Sequence, residues 1–245
     1  MEALKFLYFA VVGAYIVIRL VAGKIRLNWI LILGLVSVHA FYFFGWEGLL
    51  LLVVAGAVST VSELISLKTP FNVFGVTYRY NLSHEFFPSR IALLKVYPIE
   101  VTGAWVLLKY TSFFLTCAVL FSLGVHPLVR TLADSLVLVF FDLMIDPWAV
   151  SKGAWKWKTP GRFFGIPWRN FLGWFLVGFA TSLPFMHLQP AHADDAGMIA
   201  VALAVCLLTI GTTLRRLWSL DRAKTMIALS PMALFILLGL RALVS

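Results

Sequence analysis

Long apolar stretches recur along the whole 245-residue chain and constrain its fold more than any other feature. Each is long enough to cross a bilayer as a helix, although the second is short and acids interrupt the fifth. Because lipid offers backbone groups no hydrogen-bond partner, the spans must be helical. We predict an all-α, polytopic membrane helix bundle with about eight transmembrane helices, seven if one is re-entrant: residues 3–21, 29–44, 49–67, 99–121, 128–145, 171–188, 198–214 and 226–244.

Composition supports a single integral membrane domain over residues 1–245. The chain is 61% hydrophobic and 13% charged, with a mean hydropathy of +0.94, far from the values of soluble domains. The first span is too long for a signal-peptide core, and we expect it to be retained. Cys117 and Cys206 lie mid-span and are expected to be buried apolar residues rather than a disulfide or a metal pair.

The positive charge of +9 follows the predicted topology. Sixteen of the twenty basic residues lie in alternate loops, which the positive-inside rule places in the cytoplasm, with both termini outside. A basic surface beside anionic lipid accounts for this charge without nucleic acid, and we predict a prokaryotic plasma-membrane protein. The residues are Arg19, Lys24, Arg26, Lys68, Arg79, Arg90, Lys95, Lys152, Lys156, Lys158, Arg162, Arg169, Arg215, Arg216, Arg222 and Lys224.

Two cytoplasmic loops contain similar sequences. Residues 68–76 read KTPFNVFGV and residues 158–166 read KTPGRFFGI, and each segment follows a helix that bears an acid. A duplicated helix–loop–helix unit, residues 49–121 and 128–188, would bring two similar loops together around one cavity. A chance match of two short segments is the alternative.

Two acids stand out in the fifth span. Asp142 and Asp146 are four residues apart, so they lie about 40° apart on one helix face. Ionisable residues inside a membrane helix are costly and usually functional. Pro147, directly after Asp146, predicts that the helix stops there. As an alternative to a functional role, Asp146 could then be only a helix-end residue.

Other spans contribute polar residues at the same predicted depth. Glu63 lies near the end of the third span, Glu100 opens the fourth, and Asn170 opens the sixth. Each alone could be a solvated helix-end residue. Because all of them reach one level of the bilayer as Asp142 and Asp146 do, we predict a site toward the cytoplasmic leaflet.

Lys109 is the other anomaly, since it lies in the middle of the fourth span. A buried ammonium needs a partner, and the neighbouring antiparallel helix offers Asp142 or Asp134. We predict a structural ion pair.

Acids in an apolar cavity suit proton-driven chemistry on an alkene. A buried carboxyl can hold its proton while a neighbouring one ionises, and a protonated acid can convert an isolated double bond to a tertiary carbocation. Aromatic faces stabilise cations, and a second carboxylate could position water or remove a proton. An interfacial aromatic belt explains part of the nearby aromatic set, which is Trp155, Trp157, Phe163, Phe164, Trp168 and Trp174.

These motifs resemble the membrane carotenoid biosynthesis family, whose characterised members are carotenoid hydratases. The resembling pattern is Asp142-x3-Asp146-Pro, Gly-x-Trp155-x-Trp157, and Phe164-Gly-Ile-Pro-x2-Asn170-Phe-x-Gly-Trp174, with Glu63 and Tyr78-x-Tyr80 upstream. The resemblance covers roughly residues 63–174. The polar stretch at residues 81–85 departs from the family pattern, where a tighter turn is expected.

The resemblance implies addition of water to the terminal double bond of an acyclic carotenoid, without metal or redox cofactor. Asp142 would be the proton donor, Asp146 or Glu63 would hold the water, and Glu100 and Asn170 would complete the polar network. The lipophilic polyene would enter sideways from the bilayer. The residues expected to bind its end group are Tyr80, Trp155, Trp157, Phe164, Trp168, Asn170 and Trp174.

Other functions remain open from sequence. A terpenoid cyclase or isomerase would use the same protonation step, and a prenyltransferase could use Asp142 and Asp146 to hold Mg²⁺ and diphosphate. A transporter or scaffold with structural acids is the non-enzymatic alternative, although transporter sites usually lie near the midplane. An iron oxygenase is disfavoured because its histidine ligands would need close spacing, which is missing among His39, His84, His126, His187 and His192.

Overall fold

The computed structural model describes residues 29–69, 77–121, 124–192 and 196–244, and this part of the chain is mainly helical. The predicted span at residues 3–21, most of the repeat segment 68–76 and the side chain of Cys206 lie outside the described residues. Six α-helices are described: α1 Trp29–Lys68, α2 Ile99–Phe121, α3 Pro127–Lys152, α4 Trp168–Ser182, α5 Ala196–Leu220 and α6 Arg222–Val244.

Helix α1 contains two of the predicted spans. Instead of a loop, a kink at Gly45 joins them, with φ 58° and ψ −142°, a conformation that only glycine adopts readily. A Cβ on Gly48 would lie 2.4 Å from the carbonyl oxygen of Ala40, so the kink also requires a residue without a side chain there. The second half of α1 then runs on to Glu63 and ends at Lys68.

Helix α3 corrects the prediction that Pro147 ends the fifth span. The helix continues through Pro147 to Lys152, because a proline inside a helix removes one hydrogen bond without forcing the chain to leave it. The helix ends instead at Gly153, which is left-handed and donates its N–H to the carbonyls of Ala149 and Val150. Asp146 is therefore a buried residue of the helix interior and not a helix-end residue.

Helix α3 is the centre of the bundle. It contacts α2, α4, α5 and α6, while α1 packs against α2 and α4. Large side chains fill the interior, including Phe43 from α1, Phe114 from α2 and Phe141 from α3. Within the described residues, segments 31–68 and 99–120 are long and apolar enough to cross a membrane. The number of eight spans stays a prediction.

Two short antiparallel strand pairs lie between the helices. Strand β1 (Tyr78–Tyr80) pairs with β4 (Trp155–Trp157), and β2 (Ala92–Leu93) pairs with β3 (Tyr97–Pro98). We call the β1–β4 pair the aromatic ribbon. Its register sets Tyr78 opposite Trp157 and Tyr80 opposite Trp155. Since side chains alternate along a strand, these aromatics share one face, and Arg79 and Lys156 share the other.

Candidate active site

Asp142 and Asp146 form a buried pair that shares one hydrogen-bond donor. Nδ2 of Asn170, in the first turn of α4, donates to Oδ2 of Asp142 at 2.8 Å and to Oδ2 of Asp146 at 2.7 Å. The two aspartates are 0% and 4% exposed. Oδ1 of Asp142 makes no hydrogen bond with any described residue. Two carboxylates this close repel each other when both are ionised, and a proton on one of them removes the repulsion.

Glu63 joins this pair from α1 and is held by three donors. The indole Nε1 of Trp105 donates to its Oε1 at 3.1 Å. The hydroxyl of Tyr80 donates to Oε2 at 3.0 Å, and the hydroxyl of Tyr78 donates to the same oxygen. Glu63 is close enough to interact electrostatically with both aspartates. We call Glu63, Asp142, Asp146 and Asn170 the acid cluster.

A small cavity lies beside the acid cluster. The volume that the centre of a water molecule can occupy in it is about 20 Å³, which is enough for about one water. Glu63 is partly accessible, whereas both aspartates are buried, so Glu63 is the acid that meets this space. The lining residues come from α1, β1, α2 and α4: Ser62, Glu63, Ser66, Tyr78, Trp105, Asn170, Gly173, Trp174 and Val177.

The aromatic ribbon covers the acid cluster with its aromatic face. Besides the two tyrosines on Glu63, the Trp155 side chain lies near the carboxylate of Asp146. Burial is the main cause that raises the pKa of Tyr80 well above its ordinary value, and the nearby Glu63 carboxylate adds to it. Tyr80 therefore stays protonated and remains a hydrogen-bond donor at neutral pH.

Trp174 was predicted to bind substrate, and the structure places it on the cavity. Its ring stacks on that of Trp105, with centroids 3.9 Å apart and an angle of 19° between the planes. Trp105 comes from α2 and Trp174 from α4, so this aromatic pair joins two helices next to Glu63.

Glu100 does not join the acid cluster. Its Oε1 accepts from the backbone N–H of Ser89 at 2.7 Å, and its Oε2 has no hydrogen-bond partner among the described residues. Glu100 lies instead at the first turn of α2, where an acid interacts favourably with the helix N-terminus and the preceding loop.

Three predicted aromatic residues also lie away from the cavity. Trp168 is 67% exposed and lies next to Arg169 on the surface. Phe164 packs against a cluster of α3, α5 and α6 side chains, with Nζ of Lys224 5.6 Å from its ring centre. Trp157 is buried against Ile166 and Tyr78 inside the ribbon's own core. These three residues are close to Asp142 and Asp146 in sequence, but their side chains do not line the cavity beside the acid cluster.

Tyr78 and Trp105 contact Glu63 but are not among the site residues predicted from sequence. Tyr78 had a usable signal, since Tyr78 and Tyr80 are two residues apart and a strand would direct both to one face. Trp105 belongs to a stripe of polar and aromatic residues on α2, together with Thr102 and Ser112. That stripe does not reveal that the indole reaches Glu63 on α1.

A second buried polar group surrounds Asp134, eight residues before Asp142 on α3. Oδ2 of Asp134 accepts from Nζ of Lys109 and from the hydroxyl of Ser182, and its Oδ1 accepts from Ser112 at 2.6 Å. Lys109 and Asp134 are each 1% exposed. Of the two aspartates offered by sequence, Lys109 thus contacts Asp134. We call these four residues the ion-pair cluster.

Comparison with known proteins identifies the family. The chain is 28% identical over 123 residues to bisanhydrobacterioruberin hydratase from Haloarcula japonica, an alignment that covers 50% of this chain and 39% of that relative. No solved structure shows a significant match. The family described as "Carotenoid biosynthesis protein" matches residues 25–240, which is most of the chain. The protein therefore belongs to the carotenoid biosynthesis protein family.

Proposed function

We propose that this protein is an integral membrane hydratase that adds water to the terminal carbon–carbon double bond of an acyclic carotenoid. The family and the hydratase relative support a role on carotenoids. The observation that carries the proposal is the shared donor of the acid pair: Asn170 bridges Asp142 and Asp146 and leaves Oδ1 of Asp142 without a partner. An acid prepared in this way beside a water-sized cavity suits protonation followed by water capture.

Protonation is assigned to Asp142. A proton on its unpartnered Oδ1 relieves the repulsion within the acid pair and is not engaged by another acceptor. Transfer of that proton to the less substituted alkene carbon breaks the π bond and leaves a tertiary carbocation on the other carbon. The Trp105–Trp174 stack on the cavity offers π faces that stabilise such a cation.

Water capture is assigned to Glu63. The cavity accommodates about one water molecule beside this partly accessible carboxylate. The water oxygen bonds to the cation, and its surplus proton goes to Glu63, so the net reaction adds one water and needs no oxidant or reductant. The next turnover requires a proton on Asp142 again, and Asp146 is the adjacent carboxyl through which it can return.

The orientation in the membrane forms part of the proposal. One end of the bundle contains the acid cluster and the aromatic ribbon. The basic residues Arg79, Lys156 and Arg216 lie at the same end. By the positive-inside rule this end is cytoplasmic, with both termini outside. The carotenoid would reach the site from the bilayer. Because the cavity accommodates only about one water, the surrounding side chains must move apart to admit an isoprenoid end group.

The helix–loop–helix repeat of residues 49–121 and 128–188 is a further part of the proposal. Each unit would supply an acid-bearing helix and a strand of the ribbon. The two strands pair with each other, although β1 follows the repeated segment at residues 68–76 and β4 precedes the one at residues 158–166. Residues 1–245 would form one membrane domain.

Isotope labelling tests the proposal. Purified protein in detergent, given an acyclic carotene and ¹⁸O-labelled water, should form a labelled tertiary alcohol without oxygen or added cofactor. A rearranged product without added oxygen would identify a cyclase or isomerase instead. Alcohol that requires O₂ would exclude hydration, and magnesium-dependent turnover of a prenyl diphosphate would identify a prenyltransferase.

A further inference from the structure

We infer that Trp105 is a positioning residue that acts through Glu63 and commits the carbocation to capture by water. This inference rests on the proposed hydration. It concerns a residue on α2, a helix that contributes no acid to the acid cluster. Its basis is the way in which the donors are divided between the two oxygens of Glu63.

The two oxygens of Glu63 are held unequally. Oε2 accepts from two hydroxyls, those of Tyr78 and Tyr80, which both belong to strand β1. Oε1 accepts from the indole N–H of Trp105 at 3.1 Å. Loss of one tyrosine leaves Oε2 a donor, but loss of the indole N–H leaves Oε1 with no donor among the described side chains. Trp105 therefore fixes the direction in which Oε1 presents its remaining lone pair.

The indole is itself held rigidly. Trp105 is 5% exposed, and its ring stacks on Trp174 across the α2–α4 boundary. Both rings line the cavity, so the donor to Oε1 and one wall of the water space belong to the same side chain. A carboxylate fixed in this way can accept a proton from water in one place only. Such orientation is a large part of what a general base contributes.

The consequence concerns the fate of the cation. After protonation, the cation either bonds to water or loses a proton and returns to an alkene. Water held by a fixed Glu63 favours the first outcome. Without the indole N–H, Oε1 of Glu63 has no donor to orient it, and we expect proton loss to compete. In D₂O the returned alkene then contains deuterium at the protonated carbon, while the alcohol yield falls.

The test compares Trp105→Phe with Trp157→Phe in D₂O. The two indoles are equally buried, at 5% each, but Nε1 of Trp157 has no hydrogen-bond partner among the described residues. We expect Trp105→Phe to lower alcohol kcat about tenfold with little change in KM, and to raise the ratio of deuterated alkene to alcohol about tenfold. Trp157→Phe measures the cost of shrinking a buried indole and should leave this ratio at the wild-type value.

A second variant separates positioning from packing. Trp105→His keeps a ring N–H but loses more of the stack on Trp174, so it should be less stable than Trp105→Phe and yet give a ratio nearer to wild type. A purely structural role predicts the opposite order.

The outcomes are distinguishable. An active wild type, with Trp105→Phe giving an unchanged ratio of deuterated alkene to alcohol, would overturn the inference about Trp105 alone. A wild type that forms no labelled alcohol would overturn the proposed function, and this inference with it.

Discussion

Helix α3 contains two buried polar clusters that differ in charge balance. In the ion-pair cluster, Asp134 meets the ammonium of Lys109 and two hydroxyls, so its charge is compensated and both its oxygens are hydrogen-bonded. In the acid cluster, about 12 Å further along the helix, Asp142 and Asp146 share one neutral amide. No lysine or arginine in the described ranges forms an ion pair with the acid cluster.

The difference in charge balance suits the two clusters to different roles, one structural and one chemical. A buried ion pair is costly to break but does little else, since its protons and lone pairs are already engaged. Uncompensated acids beside a cavity are costly to keep, which is expected where a proton must be delivered. Burial alone does not distinguish the clusters, because Asp134 and Asp142 are almost equally buried.

The largest effect should come from the same substitution made in each cluster. Asp142→Asn removes the proposed proton donor and should lower turnover about 10⁴-fold, equivalent to about 5 kcal/mol of barrier. The amide retains the size of the protonated side chain and is not repelled by Asp146, so the melting temperature in detergent should not fall. Asp134→Asn should show the reverse, with loss of thermal stability and retained turnover of the folded protein. Full activity of Asp142→Asn would exclude this residue from the mechanism.

The next effect concerns stability. Lys109→Met leaves the Asp134 carboxylate buried without its cation and should destabilise the protein by about 4 kcal/mol. Combining it with Asp134→Leu removes the stranded charge and should restore most of that loss. Thermal unfolding of the single and double variants measures both. If the double variant stays as unstable as Lys109→Met, the cluster is more than a compensated ion pair.

Asn170 tests the acid cluster without removing an acid. Asn170→Ala leaves Asp142 and Asp146 without their common donor, so they no longer hold one proton in a fixed place. We expect a loss in kcat of about 100-fold, or about 3 kcal/mol of barrier. Ser182→Ala is the matched control, because it takes one donor from Asp134 and leaves two in place. Equal losses of kcat in both variants would remove the distinction between the clusters.

The acids can be singled out from sequence because each is a charged residue in an apolar stretch. An acid in an apolar run is visible without knowledge of its neighbours, and the helical period placed Asp142 and Asp146 on one face. The family assignment agrees with the resemblance of the motifs. The break at Gly45 in α1 lies between two predicted spans, whereas the continuous α3 was harder to predict, because a proline permits a break without requiring one.

The partners of the acids were poorly predictable because they depend on tertiary packing. Trp105 reaches Glu63 only because α1 and α2 pack side by side, and aromatic residues are too frequent in this chain to mark such a contact. Conversely, Glu100 is predicted at the same depth as the other acids and Trp168 belongs to the resembling motif, but both lie away from the cavity. Depth in the bilayer fixes one coordinate of a residue, and the position around the bundle axis remains free.

The smallest effect concerns the ribbon's hydroxyls. Tyr80→Phe leaves Oε2 of Glu63 with the Tyr78 hydroxyl as donor, so kcat should fall only about fivefold, or about 1 kcal/mol of barrier. The raised pKa of Tyr80 means that the phenol loses its proton only above its ordinary range, so it donates at every pH up to about 10. The alkaline limb of the pH–rate profile should therefore be the same in wild type and Tyr80→Phe.

Tyr110→Phe is the control, because that buried phenol contacts His39, away from the acid cluster, and its loss should change stability rather than kcat. An alkaline limb that disappears in Tyr80→Phe would show that Tyr80 itself ionises during turnover, and the ribbon would then take part in the chemistry instead of only holding Glu63.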